Sequence, residues 1–131
     1  MSARELTICS SSKYYDVVRI VTGHLAERGI TVNTPRFDFN EQLVEVTPEQ
    51  KRELTHEFLD KIRRSAAIYI VAADGYTGRS VCIETGFAAA LGLPVYISEP
   101  PAEAAVAALV TEVVSTADAP DFLAEALKDS R

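Results

Sequence analysis

The run Ala66-Ala67-Ile68-Tyr69-Ile70-Val71-Ala72 is apolar nearly throughout. A strand of this kind has no solvent face, which is the condition of the central strand in a parallel sheet covered by helices on both sides. Parallel neighbours must be joined by long crossovers, usually helical, so strands and helices should alternate along the chain. Leu6–Cys9 reads as a first strand, ending in the polar turn Ser10-Ser11-Ser12. Lys13 to Arg28 reads as a helix, with Val17, Val21 and Leu25 as its buried stripe and Gly29 as its stop. Ile30–Val32 is a second strand, closed by Pro35.

Arg36 to Val46 has no clean period and reads as a loop, of a length that is often functional. Thr47-Pro48-Glu49-Gln50 starts a helix, with Thr as N-cap, Pro at the first position and Gln completing a capping box. Leu54, Phe58 and Ile62 carry that helix to about Arg64. After the apolar run, Asp74–Gly78 forms a tight turn, Ser80 to Leu91 a helix stopped by Gly92, and Pro94–Ile97 a strand. Ala102–Leu109 then reads as a short helix and Val110–Val114 as an edge strand. Asp118–Lys128 is a terminal helix with Phe122, Leu123, Ala126 and Leu127 inward.

The fold expected is therefore a single α/β domain over residues 1–131, a doubly wound, flavodoxin- or Rossmann-like parallel sheet of about five strands, without linker or internal repeat. Such sheets bind ligands beyond the carboxyl ends of the strands, where the strand order reverses. Ser10–Ser12, Pro35–Asn40 and Asp74–Glu84 should converge there.

The formal net charge of −6 offers no general attraction to a phosphate backbone, so no nucleic-acid polymer is expected as a partner. A small anion can still bind at a helix start. Cys9 and Cys82 lie in apolar runs and read as small buried side chains, reduced in a cytoplasmic setting. His24 and His56 stand outside any ligand spacing, so neither a metal nor another cofactor is expected. Met1–Leu6 carries Arg4 and Glu5 without a long apolar core, so it does not read as a signal peptide, and no run reaches the length of a membrane span.

The candidate chemistry lies in Asp74-Gly75-Tyr76-Thr77-Gly78-Arg79-Ser80-Val81-Cys82-Ile83-Glu84. Two glycines permit positive φ and close approach of backbone to ligand. Thr77 or Ser80 can cap the helix, whose free amides and positive end then face the cleft. Glu84, about one turn inside, would be held ionised by those dipoles as a nucleophile or a stabiliser of positive charge. Spacing alone equally allows a glutamate that complements the helix dipole on a solvated face.

From Asp74 to Val95 the chain resembles the signature of the nucleoside 2-deoxyribosyltransferase-like superfamily, which includes transferases and nucleoside-monophosphate N-glycosidases. That signature is a Gly-rich turn, a glutamate, then Gly-x-Ala-x-x-x-Gly-x-Pro, met here by Glu84, Gly86, Ala88, Gly92 and Pro94. The resemblance implies cleavage or transfer at the N-glycosidic bond of a nucleoside or its 5′-monophosphate. Glu84 would attack the anomeric carbon to form a glycosyl-enzyme ester, and water or a second base would then take the sugar. An acid must protonate the departing base; Asp74 is the candidate, with Asp38 behind it. In the family's transferases the acidic residue of this loop lies six positions before the glutamate, where Gly78 stands here, and Ile8-Cys9-Ser10-Ser11-Ser12 replaces their Tyr-x-Ala-Gly-Pro-like turn. Family habit also implies a homo-oligomer, for which the alanine-rich helix Phe87–Leu91 offers a flat surface.

Ser10, Ser11, Ser12 and Ser80 could meet sugar hydroxyls or a 5′-phosphate, although serine is foremost a capping residue. Phe39, Tyr76, Tyr14 and Phe37 could stack on a base. Asp38, Gly75 and Gly78 complete the expected substrate-binding set, and Arg79 could pair with a phosphate. His56, Arg63 and Arg64 are assigned no chemistry. Two other readings stay open: a non-catalytic nucleotide-binding or regulatory module on the same fold, and a flavodoxin-like electron carrier.

Overall fold

The computed structural model describes residues 5–128; Met1 to Arg4, most of the segment read above as lacking a signal peptide, lie outside the described residues. Five parallel strands form one sheet: β1 (Glu5–Ser10), β2 (Thr31–Asn33), β3 (Ala67–Val71), β4 (Val95–Ile97) and β5 (Glu112–Val113), in the order β2-β1-β3-β4-β5. The order reverses between β1 and β3, which run in register from Leu6 opposite Ala67 to Ser10 opposite Val71. The helices are α1 (Tyr15–Glu27), α2 (Pro48–Arg64), α3 (Arg79–Ala90), α4 (Ala104–Ala107) and α5 (Ala119–Ala126).

The strands alternate between two cores. Leu6, Ile8, Tyr69 and Val71 point toward α1 and α5, packing with Val18, Val21, Leu25 and Leu123. Cys9, Ile68, Ile70 and Ile97 point the other way, packing with Phe58 and Ile62 of α2, Val81 and Ala88 of α3 and Val106 of α4. Every residue of β3 is buried, as its apolar run requires. Within this interior Tyr69 donates to the Val114 carbonyl at 2.7 Å and the Thr7 and Ser65 hydroxyls meet at 2.7 Å, while the buried Thr22 hydroxyl has no hydrogen-bond partner among the described residues.

Local chemistry sets the helix ends. The Thr47–Gln50 capping box of α2 is present in both directions, with Pro48 in the first turn. Elsewhere the structure corrects the expectation. Ser12–Tyr14 form a 3₁₀ turn capped by Ser11, so α1 begins at Tyr15. Its buried stripe is Val18, Val21 and Leu25, and Val17 is 41% exposed. In α5, Leu123 and Leu127 are buried and Phe122 packs on the core edge, but Ala126 is exposed. The edge strand shrinks to Glu112–Val113. No helix among the described residues is long and apolar enough to cross a membrane.

Candidate active site

A cavity of about 710 Å³ opens beyond the carboxyl ends of β1 and β3, within the size range of small-molecule sites. Three segments meet around it: Ser10–Lys13 with Tyr15 after β1, Pro35, Arg36, Phe39, Glu41 and Gln42 after β2, and Tyr76–Val81 with Glu84 after β3. The sequence pattern does not disclose the fourth wall, which is one face of α2: Lys51, Leu54, Thr55, Glu57, Phe58 and Lys61. These residues recur at helical spacing, so the signal was the same apolar period, with lysines interleaved, that reads equally well as ordinary core packing.

Glu84 is half-buried and lines the cavity. It lies in the second turn of α3, past the reach of the helix dipole, which falls off within the first turn. Burial therefore governs its ionisation and pushes its carboxyl up to about 8, against weaker opposing pulls from a hydrogen bond with the Cys9 thiol and the charge of Lys51. The expectation of a dipole-ionised glutamate is thus reversed: at neutral pH the group is mainly the neutral acid. Its surroundings respond in kind. Burial foremost, and Glu84 second, raise the fully buried Cys9 thiol well above its ordinary range and push the Tyr15 phenol up to about 12.

The turn that carries Glu84 is built by glycine. Gly78, at φ +82°, is the N-cap of α3, so neither Thr77 nor Ser80 caps the helix as expected; Thr77 Oγ1 instead meets Cys82 Sγ at 3.5 Å. Gly78, Ser80 and Tyr76 line the cavity. Gly75 does not. Its φ of +77° and the nearness of the Pro100 and Ala102 backbone show a packing role, and its carbonyl accepts from Ala102 N–H at 3.0 Å.

Asp74, the expected acid, lies outside the cavity: it is exposed, at φ +54°, and its N–H donates to Glu99 at 3.1 Å. The turn directs it toward the loop after β4. Asp38 is also outside, in a smaller depression with Arg19 and Thr34. Arg36 grips it through two hydrogen bonds of 3.0 and 2.8 Å, which hold its carboxyl below the ordinary value. Phe39, one residue on, does line the cavity. Ser10 and Ser11 line it too, but both have structural duties. Ser10 Oγ donates to the Val71 carbonyl at 2.9 Å, and Ser11 Oγ accepts from Lys13 N–H at 3.3 Å.

The cavity's cations fall into two groups. Lys51 pairs with Glu41 at 2.9 Å and Arg36 with Asp38 and Glu57, whereas Lys13, Lys61 and Arg79 have no carboxylate partner among the described residues, Lys61 donating to the Thr34 carbonyl at 3.3 Å. Lys13 Nζ instead stands 4.2 Å from the centre of the Tyr76 ring. Among the described residues no group of three or more His, Cys, Asp or Glu side chains could hold a metal ion.

No protein-family model matches the sequence, and no curated protein matches it. Solved structures do resemble it. A 2-deoxyribosyltransferase from the psychrotolerant bacterium Bacillus psychrosaccharolyticus superposes with a TM-score of 0.72 at 20% identity, over 94% of this chain and 95% of that one. A conserved protein from Enterococcus faecalis V583 gives 0.63 at 13% identity, covering 97% and 98%. The sugar isomerase domain of an RpiR transcription factor from Sphaerobacter thermophilus gives 0.58 at 14%, covering 95% and 68%. The chain therefore shares its fold, a doubly wound parallel sheet, with that 2-deoxyribosyltransferase.

Proposed function

We propose that the protein cleaves or transfers at the N-glycosidic bond of a nucleoside 5′-monophosphate, with Glu84 as the nucleophile. The observation that carries this reading is the position of Glu84: a carboxyl on the wall of a nucleotide-sized cavity, at the strand-order switch of this fold. An oxygen of its carboxylate attacks the anomeric carbon as the base departs, and the glycosyl ester is then opened by water or by an acceptor base. Because burial favours the neutral acid, a bound substrate must draw Glu84 into its ionised form before attack.

Phosphate recognition is assigned to Lys13 and Arg79, lining cations without a carboxylate partner among the described residues; Lys61, the third such cation, is engaged by the Thr34 carbonyl. The rings of Tyr15, Phe39 and Tyr76 in the same walls offer stacking surfaces for the base. The test is base release, by chromatography, from ribo- and deoxyribonucleosides and their 5′-monophosphates, with Glu84→Ala alongside. Release by the wild type and not by the variant is expected, together with a protein mass raised by one glycosyl unit after rapid quenching. Silence across both kinds of sugar, with and without an acceptor base, would defeat the reading; a nucleotide that still raised the melting temperature would then support the binding-module alternative.

A further inference from the structure

We infer that the preferred substrates are nucleotides whose base carries a fixed positive charge, a pyridinium or an N-alkylated purine, because the cavity holds a nucleophile but, among the described residues, no group left free to protonate a departing base. The inference rests on the reading of Glu84 as nucleophile and narrows its substrate class.

Breaking the bond to a neutral purine or pyrimidine leaves an anionic base unless an acid delivers a proton, a contribution of about 10²–10⁴-fold when such an acid is present. Of the lining groups that carry a proton, Lys13 and Arg79 are taken up by the phosphate, and Tyr76 presents its ring to the Lys13 ammonium at 4.2 Å and is assigned to stacking. Glu41 and Glu57 are the anions of ion pairs with Lys51 and Arg36. The ammonium of Lys61 donates to the Thr34 carbonyl at 3.3 Å, and that of Lys51 to Glu41 at 2.9 Å. Tyr15 holds its phenolic proton too tightly to match a reaction at neutral pH. Gly78, the position where the resemblance expects the acid, has no side chain, and both Asp74 and Asp38 lie outside the cavity.

A cationic base removes the requirement. An oxygen of the Glu84 carboxylate bonds to C1′ while the C1′–N electron pair moves onto the ring nitrogen, cancels its charge and releases a neutral base. Water then attacks C1′, Glu84 leaves as carboxylate, and the water's remaining proton passes to solvent. One proton is therefore released per turnover, where hydrolysis of a neutral nucleotide to a neutral base releases none.

The charge also prepares the nucleophile. The titratable or charged groups coupled to Glu84 are Cys9 of β1, Tyr15 of α1 and Lys51 of α2, and Arg79 at the start of α3 lines the same cavity. Tyr69 of β3 and Tyr96 of β4 lie in the opposite core, and α4 carries no titratable side chain. A cation brought within about 4–6 Å favours the ionised form of a carboxyl by 1–3 pH units, so a charged base converts the resting acid into the attacking carboxylate. A neutral base offers no such help. The aromatic walls are compatible with a cationic ring, and Lys13 and Arg79 remain for its phosphate.

The test uses matched pairs that differ in charge and little in shape: 7-methylguanosine 5′-monophosphate against guanosine 5′-monophosphate, and nicotinamide mononucleotide against cytidine 5′-monophosphate. Base release is followed by chromatography and proton release in weak buffer, with Glu84→Gln as control. At pH 7 the charged member of each pair should show a kcat/KM at least ~100-fold higher, as expected where general-acid assistance is missing, and nicotinamide mononucleotide, whose ring has no acidic N–H, should give one proton per base released, both abolished in Glu84→Gln. Comparable rates for the charged and neutral members would overturn the inference while leaving Glu84 as nucleophile. No base release from any of the four, or release that survives Glu84→Gln, would overturn the reading beneath it.

Discussion

Replacing Glu84 with glutamine should make this protein more stable in mild alkali while removing its proposed activity. Glu84 has an ordinary value of 4.5 and is raised by burial to about 8 in the folded chain. Between those values the folded state binds a proton that the unfolded state has released, so stability falls as pH rises from about 4.5 and levels off above about 8. The raised carboxyl thus contributes its full stability only in acid. A shift from 4.5 to 8, at about 1.36 kcal/mol per pH unit, corresponds to roughly 5 kcal/mol of lost stability by pH 9. Water entering through the cavity screens part of this charge, which leaves about 2–5 kcal/mol. Glutamine matches the neutral acid in shape and never ionises. For a chain of this length, thermal unfolding at pH 9 should then place Glu84→Gln about 6–25 °C above the wild type, at some 3–5 °C per kcal/mol. At pH 5 the two should nearly coincide. A melting-temperature difference that stays the same at pH 5 and pH 9 would refute the claim that burial holds this carboxyl neutral.

The same ionisation should appear in kinetics. With a neutral-base nucleotide, kcat/KM should fall about tenfold per pH unit below about 8, since it reports the free enzyme's Glu84; a flat profile from pH 6 to 8 would contradict it. Gly75→Ala would set a Cβ 2.6 Å from the Pro100 carbonyl oxygen at φ +77°, at a cost of about 2–4 kcal/mol read as a lower urea midpoint. Tyr69→Phe orphans the buried Val114 carbonyl and should cost about 1–2 kcal/mol in the same assay. Thr47→Ala removes one half of the α2 capping box, for about 1 kcal/mol with the cavity's chemistry unchanged.

The order of elements and the two-sided burial of β3 were legible in the sequence because both follow from short-range rules. An apolar heptapeptide can only be shielded from both sides, and Thr47, Pro48 and Gln50 complete the α2 start among themselves. The place of the cavity was legible for a related reason: a strand–turn–helix with Gly78 at positive φ brings Glu84 to the carboxyl end of β3 whatever lies around it. Tertiary structure decided the rest. Whether α1 turns Val17 or Val18 inward depends on the 3₁₀ turn before it and the sheet beneath it. Asp74 faces away because Gly75 must pack against the Pro100–Ala102 backbone, a contact between segments that no spacing along the chain encodes. The charge state of Glu84 belongs there too, since a carboxylate is stabilised by the water around it, and only the assembled walls from β1, α1 and α2 determine how much of that water is excluded.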